Sequence, residues 1–183
     1  MDNAPLILLA AGGTGGHLFP AEALGVELIK RGLRVRLATD ARALRYSGLF
    51  TREMIDVVPS ETVRSRNPVS LARTAIMLGY GTVVALNLVR RLKPAAVVGF
   101  GGYPTLPPLL AARQLGVPTL VHEANAVLGR ANRFLSSRVS AIATSLPGVL
   151  DRDPARRAAR SRRHQRGGRE NGWRGQAPRW RRE

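Results

Sequence analysis

Short apolar runs alternate with longer amphipathic stretches along the first 150 residues. Runs rich in Val, Ile and Leu predict strands, and apolar residues repeated every three or four positions predict helices. Strands are expected at Pro5–Ala11, Arg34–Thr39, Ile55–Pro59, Ala95–Gly99, Thr119–His122 and Ala141–Thr144. Helices are expected at Pro20–Arg31, Ala41–Leu49, Pro68–Arg91, Pro104–Leu115 and Gly129–Ser136. This alternation predicts an α/β fold, a Rossmann-like parallel sheet with helices on both faces.

The composition changes abruptly after Leu150, which divides the chain into a body, residues 1–150, and a tail, residues 151–183. The tail contains no Val, Ile, Leu, Met or Phe, and its basic residues are all arginine. It cannot bury enough apolar surface to offset the entropy of ordering, so we expect it to be disordered. Its residue types share GC-rich codons, which favours a product of a shifted reading frame. A functional arginine-rich arm is the alternative.

The net charge of +17 suggests an anionic partner, but nearly half of the excess lies in the tail. The body has 17 Lys and Arg against 8 Asp and Glu, and the tail has 12 against 4. A nucleic-acid binder acting through the tail remains an alternative, although the body has no recognisable RNA-binding motif. Cysteine is absent, which excludes a disulfide framework and a thiolate metal site and favours a reducing compartment.

A glycine-rich loop, Ala11-Gly-Gly-Thr-Gly-Gly-His17, joins the first predicted strand to the first helix. Four glycines let the backbone approach a ligand closely, and the free amides of the next helix favour a phosphate or diphosphate. The dinucleotide fingerprint fails because Leu18 stands where a third glycine is needed, and no Lys-Ser/Thr pair follows for a Walker loop. Asp40 occupies the position of a ribose-binding acid, so a nicotinamide enzyme stays a weaker alternative.

Two more segments follow predicted strands. The first is Gly99-Phe-Gly-Gly-Tyr-Pro104, and the second is His122-Glu-Ala-Asn125. Ligands of open parallel sheets bind outside the carboxyl ends of the strands, so the three segments are expected to line one crevice.

These three segments, in this order and spacing, resemble the MurG family of peptidoglycan glycosyltransferases, in glycosyltransferase family 28. The resemblance covers residues 5–150 and implies the amino-terminal, acceptor-binding half of a GT-B enzyme. It implies inverting transfer of N-acetylglucosamine from UDP-N-acetylglucosamine to undecaprenyl-diphospho-N-acetylmuramoyl-pentapeptide, which converts lipid I to lipid II. It also implies a peripheral protein on the cytoplasmic side of the bacterial cell membrane.

The resemblance also assigns roles to residues. His17 is implied as the catalytic base, since histidine titrates near neutrality. Thr14, Gly15 and Gly16, together with Asn125, are implied on the sugar-nucleotide side, and Gly13 is counted among the substrate-binding residues. The implied contacts to the acceptor near its diphosphate are Gly101, Gly102, Tyr103 and Glu123.

The residues alone leave alternatives open. His17 can instead cap the helix, and His122 and Glu123 can be a structural pair that closes the strand end. No D-x-D motif is present in the body, and we expect neither a protein-bound metal nor a cofactor.

The stretch Ala75–Val89 is nearly all apolar, with Arg64, Arg66 and Arg73 before it and Arg90, Arg91 and Lys93 after it. Fifteen residues are too few to span a bilayer, which takes about 20. An interfacial helix is expected, with part of it packed on the sheet.

The chain departs from the family in length and in its end. MurG-like enzymes are about twice as long, and the G-N-P-x-R segment that leads to their donor-binding domain is absent here. We expect little or no transferase activity from the isolated chain. The alternative is a membrane-docked acceptor-binding subunit that acts with a separate donor-binding subunit.

Overall fold

The computed structural model of the chain describes residues 4–45, 48–61 and 67–151. The strands are β1 (Leu6–Ala10), β2 (Arg34–Thr39), β3 (Ile55–Val57), β4 (Ala96–Gly99), β5 (Thr119–Glu123) and β6 (Ala141–Thr144). The α-helices are α1 (Gly15–Lys30), α2 (Pro68–Leu92), α3 (Leu106–Gln114) and α4 (Arg130–Leu135). The expected disorder of the tail concerns residues 152–183, which lie outside the described residues, so it stays a prediction.

The six strands form one sheet in the order β3-β2-β1-β4-β5-β6, and every neighbouring pair is parallel. This is the order of a Rossmann-like doubly wound sheet, and it confirms the predicted fold class. The chain adds β2 and β3 on one side of β1, and β4, β5 and β6 on the other side. A crevice therefore opens at the carboxyl ends of β1 and β4, where the strand order reverses.

The core lies on both faces of the sheet, because successive strand residues point to opposite sides. Leu8, Val97 and Val121 face a cluster that includes residues of α2 and α3. Leu9 and Leu37 face a second cluster, which includes Leu18 of α1. Residues on both faces of the central strands are therefore removed from water, as is usual for parallel sheets.

The first helix begins five residues before the prediction, at Gly15 rather than Pro20. The prediction placed Pro20 at the first helical position, where proline is favoured. In the structure Thr14 is the extended N-cap residue, and its carbonyl oxygen accepts hydrogen bonds from the amides of His17 and Leu18 at 3.0 Å each. Gly15, Gly16 and His17 consequently belong to the first turn of α1.

The predicted helix Ala41–Leu49 is wrong; the structure has a 3-10 helix over Ala41–Arg45, and residues 46–47 lie outside the described part. The Asp40 carboxylate accepts a hydrogen bond from the amide of Arg42, and the Asp40 carbonyl accepts one from Ala43. Such local bonds from aspartate compete with a regular helix. The start of the predicted helix Pro104–Leu115 also moves, because a 3-10 turn over Tyr103–Thr105 precedes α3, which begins at Leu106.

Helix α2 is 25 residues long and begins after Asn67, whose side chain accepts a hydrogen bond from the Ser70 amide at 2.7 Å. By length and composition α2 could cross a membrane. Only 17% of its most apolar window is buried inside the protein. Ala85 and Val89 pack in the core. Large apolar side chains on its outer side are exposed: Val69, Leu71, Ile76, Tyr80 and Val83.

Candidate active site

Three loops meet at the carboxyl edge of the sheet, after β1, β4 and β5, as the sequence predicts. The amide of Gly12 in the first loop donates a hydrogen bond to the carbonyl of Gly101 in the second at 3.2 Å. This bond continues the pairing of β1 with β4 and holds the two glycine loops side by side. The predicted crevice therefore has two glycine-rich loops in direct contact.

The imidazole of His17 lies between these loops. Its Nδ1 is 2.9 Å from the hydroxyl of Thr14. Gly101 and Gly102 both have positive φ angles, 95° and 80°. A Cβ on Gly101 would lie 3.1 Å from His17 Cδ2, and one on Gly102 would lie 3.4 Å from Cε1. Both the backbone conformation and the contact with His17 therefore require glycine here.

The pKa of His17 is lowered from its ordinary value of 6.5. Burial of the ring is the main cause, the charge of Glu123 opposes it, and the charge of Arg42 adds to it. A half-buried imidazole with this shift is neutral at pH 7, so it has a lone pair that can accept a proton.

Glu123 ends β5 with its carboxylate directed into the protein, where the residue is 3% exposed. One oxygen accepts hydrogen bonds from the backbone and side-chain amides of Asn125, at 3.0 and 2.8 Å. The other accepts from the Gly129 amide and the Asn132 side chain, both at 2.9 Å. Burial raises the pKa of Glu123, but these four bonds outweigh it and lower the pKa below the usual value. The carboxylate thus fixes the loop that presents Asn125.

His122 points to the other side of β5. Its Nε2 is 3.0 Å from the hydroxyl of Ser145, and its ring lies against Phe100 with centroids 5.5 Å apart. Burial lowers its pKa, while Glu123 raises it. His122 and Glu123 are therefore not hydrogen-bonded to each other as a closing pair; each has its own partners.

Asn132 of α4 is a site residue that the sequence analysis did not single out. It is 2% exposed, and its amide nitrogen donates to the carbonyl of His122 at 3.0 Å and to Glu123 at 2.9 Å. A Cβ on Gly101 would lie 3.5 Å from the same nitrogen. Asn132 thus links the third segment to the second glycine loop.

Asp40 supports the first glycine loop. Its carboxylate accepts a hydrogen bond from the Gly13 amide at 3.1 Å and a two-pronged ion pair from Arg42 at 2.9 and 2.8 Å. A Cβ on Gly13 would lie 2.6 Å from Asp40 Oδ1, so glycine is required there for steric reasons. Burial raises the pKa of Asp40, but the bonds from Arg42 and Gly13 lower it overall. Both oxygens are engaged within the protein rather than presented to a ribose.

The remaining predicted residues differ in their surroundings. Gly16 faces open space, because a Cβ there would meet nothing within 4 Å. Thr14 and Asn125 are exposed at the rim, and Gly15 lies against Phe19. Tyr103 is half-buried and packs beside the larger core cluster. Within the described residues, no group of three or more His, Asp or Glu side chains is placed to hold a metal ion.

Comparison with known protein families identifies the family of this chain. Residues 7–144 match the model of the glycosyltransferase family 28 N-terminal domain. The chain belongs to glycosyltransferase family 28. The matched part of this family 28 chain contains every predicted site residue.

Relatives of this family 28 chain share high identity over the same region. A UDP-N-acetylglucosamine--N-acetylmuramyl-(pentapeptide) pyrophosphoryl-undecaprenol N-acetylglucosamine transferase of Bradyrhizobium sp. strain BTAi1 is 84% identical over 154 residues, which are 84% of this chain and 42% of that protein. The protein of the same description from Rhodopseudomonas palustris strain BisB18 is 80% identical over 152 residues, 83% of this chain and 40% of its own length.

A solved structure extends the comparison to the fold. The crystal structure of Acinetobacter baumannii MurG matches with a TM-score of 0.66 and 32% identity, over 79% of this chain and 43% of that one. The chain therefore spans about two fifths of the length of the relatives that it matches.

Proposed function

We propose that this chain is the acceptor-binding part of a glycosyltransferase that moves N-acetylglucosamine from UDP to the 4-hydroxyl of a muramyl-pentapeptide carried on undecaprenyl diphosphate. The product is the lipid-linked disaccharide precursor of peptidoglycan. One observation carries the proposal: a neutral His17 is held between two glycine loops at the strand ends. The activity for which the Bradyrhizobium relative is named supports the choice of substrates.

The surroundings of His17 support a role as general base. In the tautomer in which Nδ1–H donates to Thr14, Nε2 keeps its lone pair. That nitrogen removes the proton from the attacking hydroxyl, whose oxygen bonds to the anomeric carbon as UDP leaves with the bonding electrons. General-base catalysis of this kind contributes about 10² to 10⁴ in rate.

The start of α1 supplies an anion site for this reaction. The amides of Gly15 and Gly16 lie in its first turn, where intrahelical acceptors are missing and the helix dipole is positive. The open space beside Gly16 leaves room for a ligand. These features support placing a diphosphate at Thr14, Gly15 and Gly16, with exposed Asn125 on the same rim, while Gly101, Gly102 and Tyr103 receive the acceptor.

The outer face of α2 supports binding to the cytoplasmic face of a membrane, where the acceptor lipid lies. Ile76 is 70% exposed, Tyr80 58% and Val83 56%, and their spacing puts them on one side of the helix. Arg90, Arg91 and Lys93 follow at the helix end; Arg64 and Arg66, predicted to flank the other end, lie outside the described residues. An apolar face with basic neighbours suits an interfacial helix.

A second possibility differs only in where the donor site resides. Because the chain spans 42% of the Bradyrhizobium relative, a separate subunit can supply the donor-binding part. In either case, the isolated chain is expected to have little or no transferase activity.

Reconstitution tests the proposal. The chain is mixed with the separately expressed carboxyl-terminal part of the Bradyrhizobium relative, and UDP release is measured with UDP-N-acetylglucosamine and a short-chain lipid acceptor. We expect turnover only with both parts and the acceptor present. Absence of turnover, in a mixture whose two parts bind each other, contradicts the proposal.

A further inference from the structure

A cavity of about 330 Å³ lies beside the crevice, at the carboxyl ends of β2 and β3. It is lined by Asp40 and Arg42 on one side, by residues 57–61 on another and by Met77 of α2 on the third. Small-molecule sites begin at roughly this size, so the cavity can hold a few groups of a larger ligand. The role proposed above for His17 and the glycine loops leaves this cavity without a function.

The cavity wall has opposite charges at two points and an apolar surface between them. Arg42 has a side chain that is 60% exposed, and its Nε and Nη2 are bound to Asp40. A guanidinium has five N–H groups, so Arg42 retains donors for a ligand carboxylate. Glu61, 21% exposed, can accept from an ammonium or amide while it is paired with Arg73. Val57, Val58 and Met77 supply the apolar part.

This combination suits a peptide, which carries carboxylates, amide or ammonium donors and short apolar side chains. A nucleotide or diphosphate fits less well, because Asp40 and Glu61 put two carboxylates on the wall. A purely apolar ligand would cover the polar groups of Arg42 and Glu61 without forming hydrogen bonds to them.

The position of the cavity agrees with a peptide attached to the sugar that His17 deprotonates. Asp40 lines the cavity and also accepts the hydrogen bond from the Gly13 amide. One carboxylate therefore separates the cavity from the first glycine loop. Met77 belongs to the helix whose outer face carries the exposed Ile76 and Tyr80, so the cavity also adjoins the surface proposed to meet the membrane.

We propose that this cavity binds part of the peptide of the muramyl-pentapeptide acceptor; this inference rests on the function proposed above. The sugar lies at the glycine loops and the peptide extends past Asp40. Arg42 receives a peptide carboxylate, Glu61 receives a donor group, and the apolar wall receives a small side chain. The cavity then adds affinity for acceptors that carry the peptide.

The test uses two soluble short-chain muramyl diphosphate lipids, one with the pentapeptide and one without it. Calorimetry gives the dissociation constant of each for the chain and for three variants. Val57→Trp narrows the cavity from an exposed position without touching the Asp40–Gly13 bond, and Arg42→Ala removes the cation. Arg113→Ala is the matched control, because it removes an exposed arginine from α3, away from the cavity.

For the wild-type chain we expect the peptide to tighten binding by at least about tenfold. Val57→Trp and Arg42→Ala should abolish most of this gain, and Val57→Trp should change binding of the peptide-free lipid by less than about twofold. Arg113→Ala should keep the gain. Thermal unfolding checks that each variant is folded. If Val57→Trp does not fold, the gain in affinity from the peptide is compared between the wild type and Arg42→Ala.

Two results overturn the peptide site while the proposed function stands: both lipids bind wild type equally, or Val57→Trp weakens both lipids by the same factor. If the wild-type chain binds neither lipid, the peptide site and the proposed function fail together.

Discussion

The hydroxyl of Thr14 lies 2.9 Å from Nδ1 of His17, within a single helical turn, and the rest of that imidazole lies against Gly101 and Gly102. Thr14 fixes one ring nitrogen, and the second glycine loop fixes the plane of the ring. The other nitrogen, Nε2, would lie 3.3 Å from a Cβ on Gly101, beside the second glycine loop. A local side-chain contact and long-range packing both determine this single orientation.

Replacing the base should separate catalysis from binding. In the reconstituted enzyme we expect His17→Ala to lower the transfer rate by about 10² to 10⁴ while the acceptor dissociation constant changes by less than about threefold. Stopped assays of UDP release and calorimetry with the acceptor measure the two quantities. A variant that keeps more than a tenth of the wild-type rate excludes His17 as the base.

The pH dependence of the same reaction provides a control. Because burial lowers the pKa of His17 below 6.5, the neutral base persists to lower pH than for a free histidine. The transfer rate should rise with pH and level off at a lower pH than a free histidine would give, and this limb should vanish in His17→Ala.

Two glycines of the first loop should respond in opposite ways to alanine. In Gly13→Ala the new Cβ would lie 2.6 Å from Asp40 Oδ1 and 2.9 Å from the Ala43 nitrogen, so the loop must shift and the protein must lose stability. In Gly16→Ala the Cβ meets nothing within 4 Å, and alanine in a helix is favoured over glycine by about 1 kcal/mol. Thermal unfolding should therefore show a lower midpoint for Gly13→Ala only.

Ligand binding completes the comparison. If Gly16 borders the diphosphate proposed at the start of α1, Gly16→Ala weakens binding of the diphosphate ligand, although the variant is as stable as the wild type. Unchanged affinity in a stable Gly16→Ala variant removes Gly16 from the binding site.

The sequence predicted the sheet and the three loops because both depend on patterns along the chain. Apolar runs define the strands, and the carboxyl ends of parallel strands meet at one edge. The start of α1 was misplaced because a proline inside a helix has the same local signature as a proline at its first position. The extended backbone of Thr14, the N-cap residue, sets the start of α1, and this backbone geometry cannot be read directly from the sequence.

The supporting residues of the site were harder to predict than the loops. Asp40 binds Gly13 across 27 positions, and Asn132 binds Glu123 across nine. Neither pair has a periodic spacing, since only the folded sheet brings the partners together. The failed helix over Ala41–Leu49 has a different, local cause, since Asp40 holds the residues that follow it in a 3-10 turn.

Glu123 should matter for stability at neutral pH. Glu123→Gln replaces one acceptor oxygen by an NH₂ donor that faces two donors, so we expect a loss of about 2 to 4 kcal/mol in the free energy of unfolding. Glu27→Gln removes a solvent-exposed ion pair with Arg31 and should change it by less than about 0.5 kcal/mol. Denaturant unfolding of both variants measures the difference.

The pH dependence of this effect has a defined sign. The folded pKa of Glu123 lies below its ordinary value of 4.5, so its stabilisation is present above that value and is lost as pH falls below it. The difference between wild type and Glu123→Gln should therefore shrink on acidification. A difference that grows as pH falls contradicts the assigned bonding of the carboxylate.

The exposed face of α2 should control membrane binding. We expect the double variant Ile76→Asp and Val83→Asp to weaken binding to anionic vesicles by more than about tenfold, because each side chain is more than half exposed and apolar. Leu146→Asp is the matched control, a 45% exposed leucine after β6. Vesicle sedimentation measures both, and equal losses in the two proteins would falsify the assignment of this face.

The central claim is that this chain holds the acceptor rather than the donor. The most direct test measures, by calorimetry on the wild-type chain, binding of a short-chain muramyl-pentapeptide diphosphate lipid and of UDP-N-acetylglucosamine. We expect micromolar or tighter binding of the lipid and at least about tenfold weaker binding of the sugar nucleotide. Tight binding of UDP-N-acetylglucosamine without measurable binding of the lipid contradicts the account.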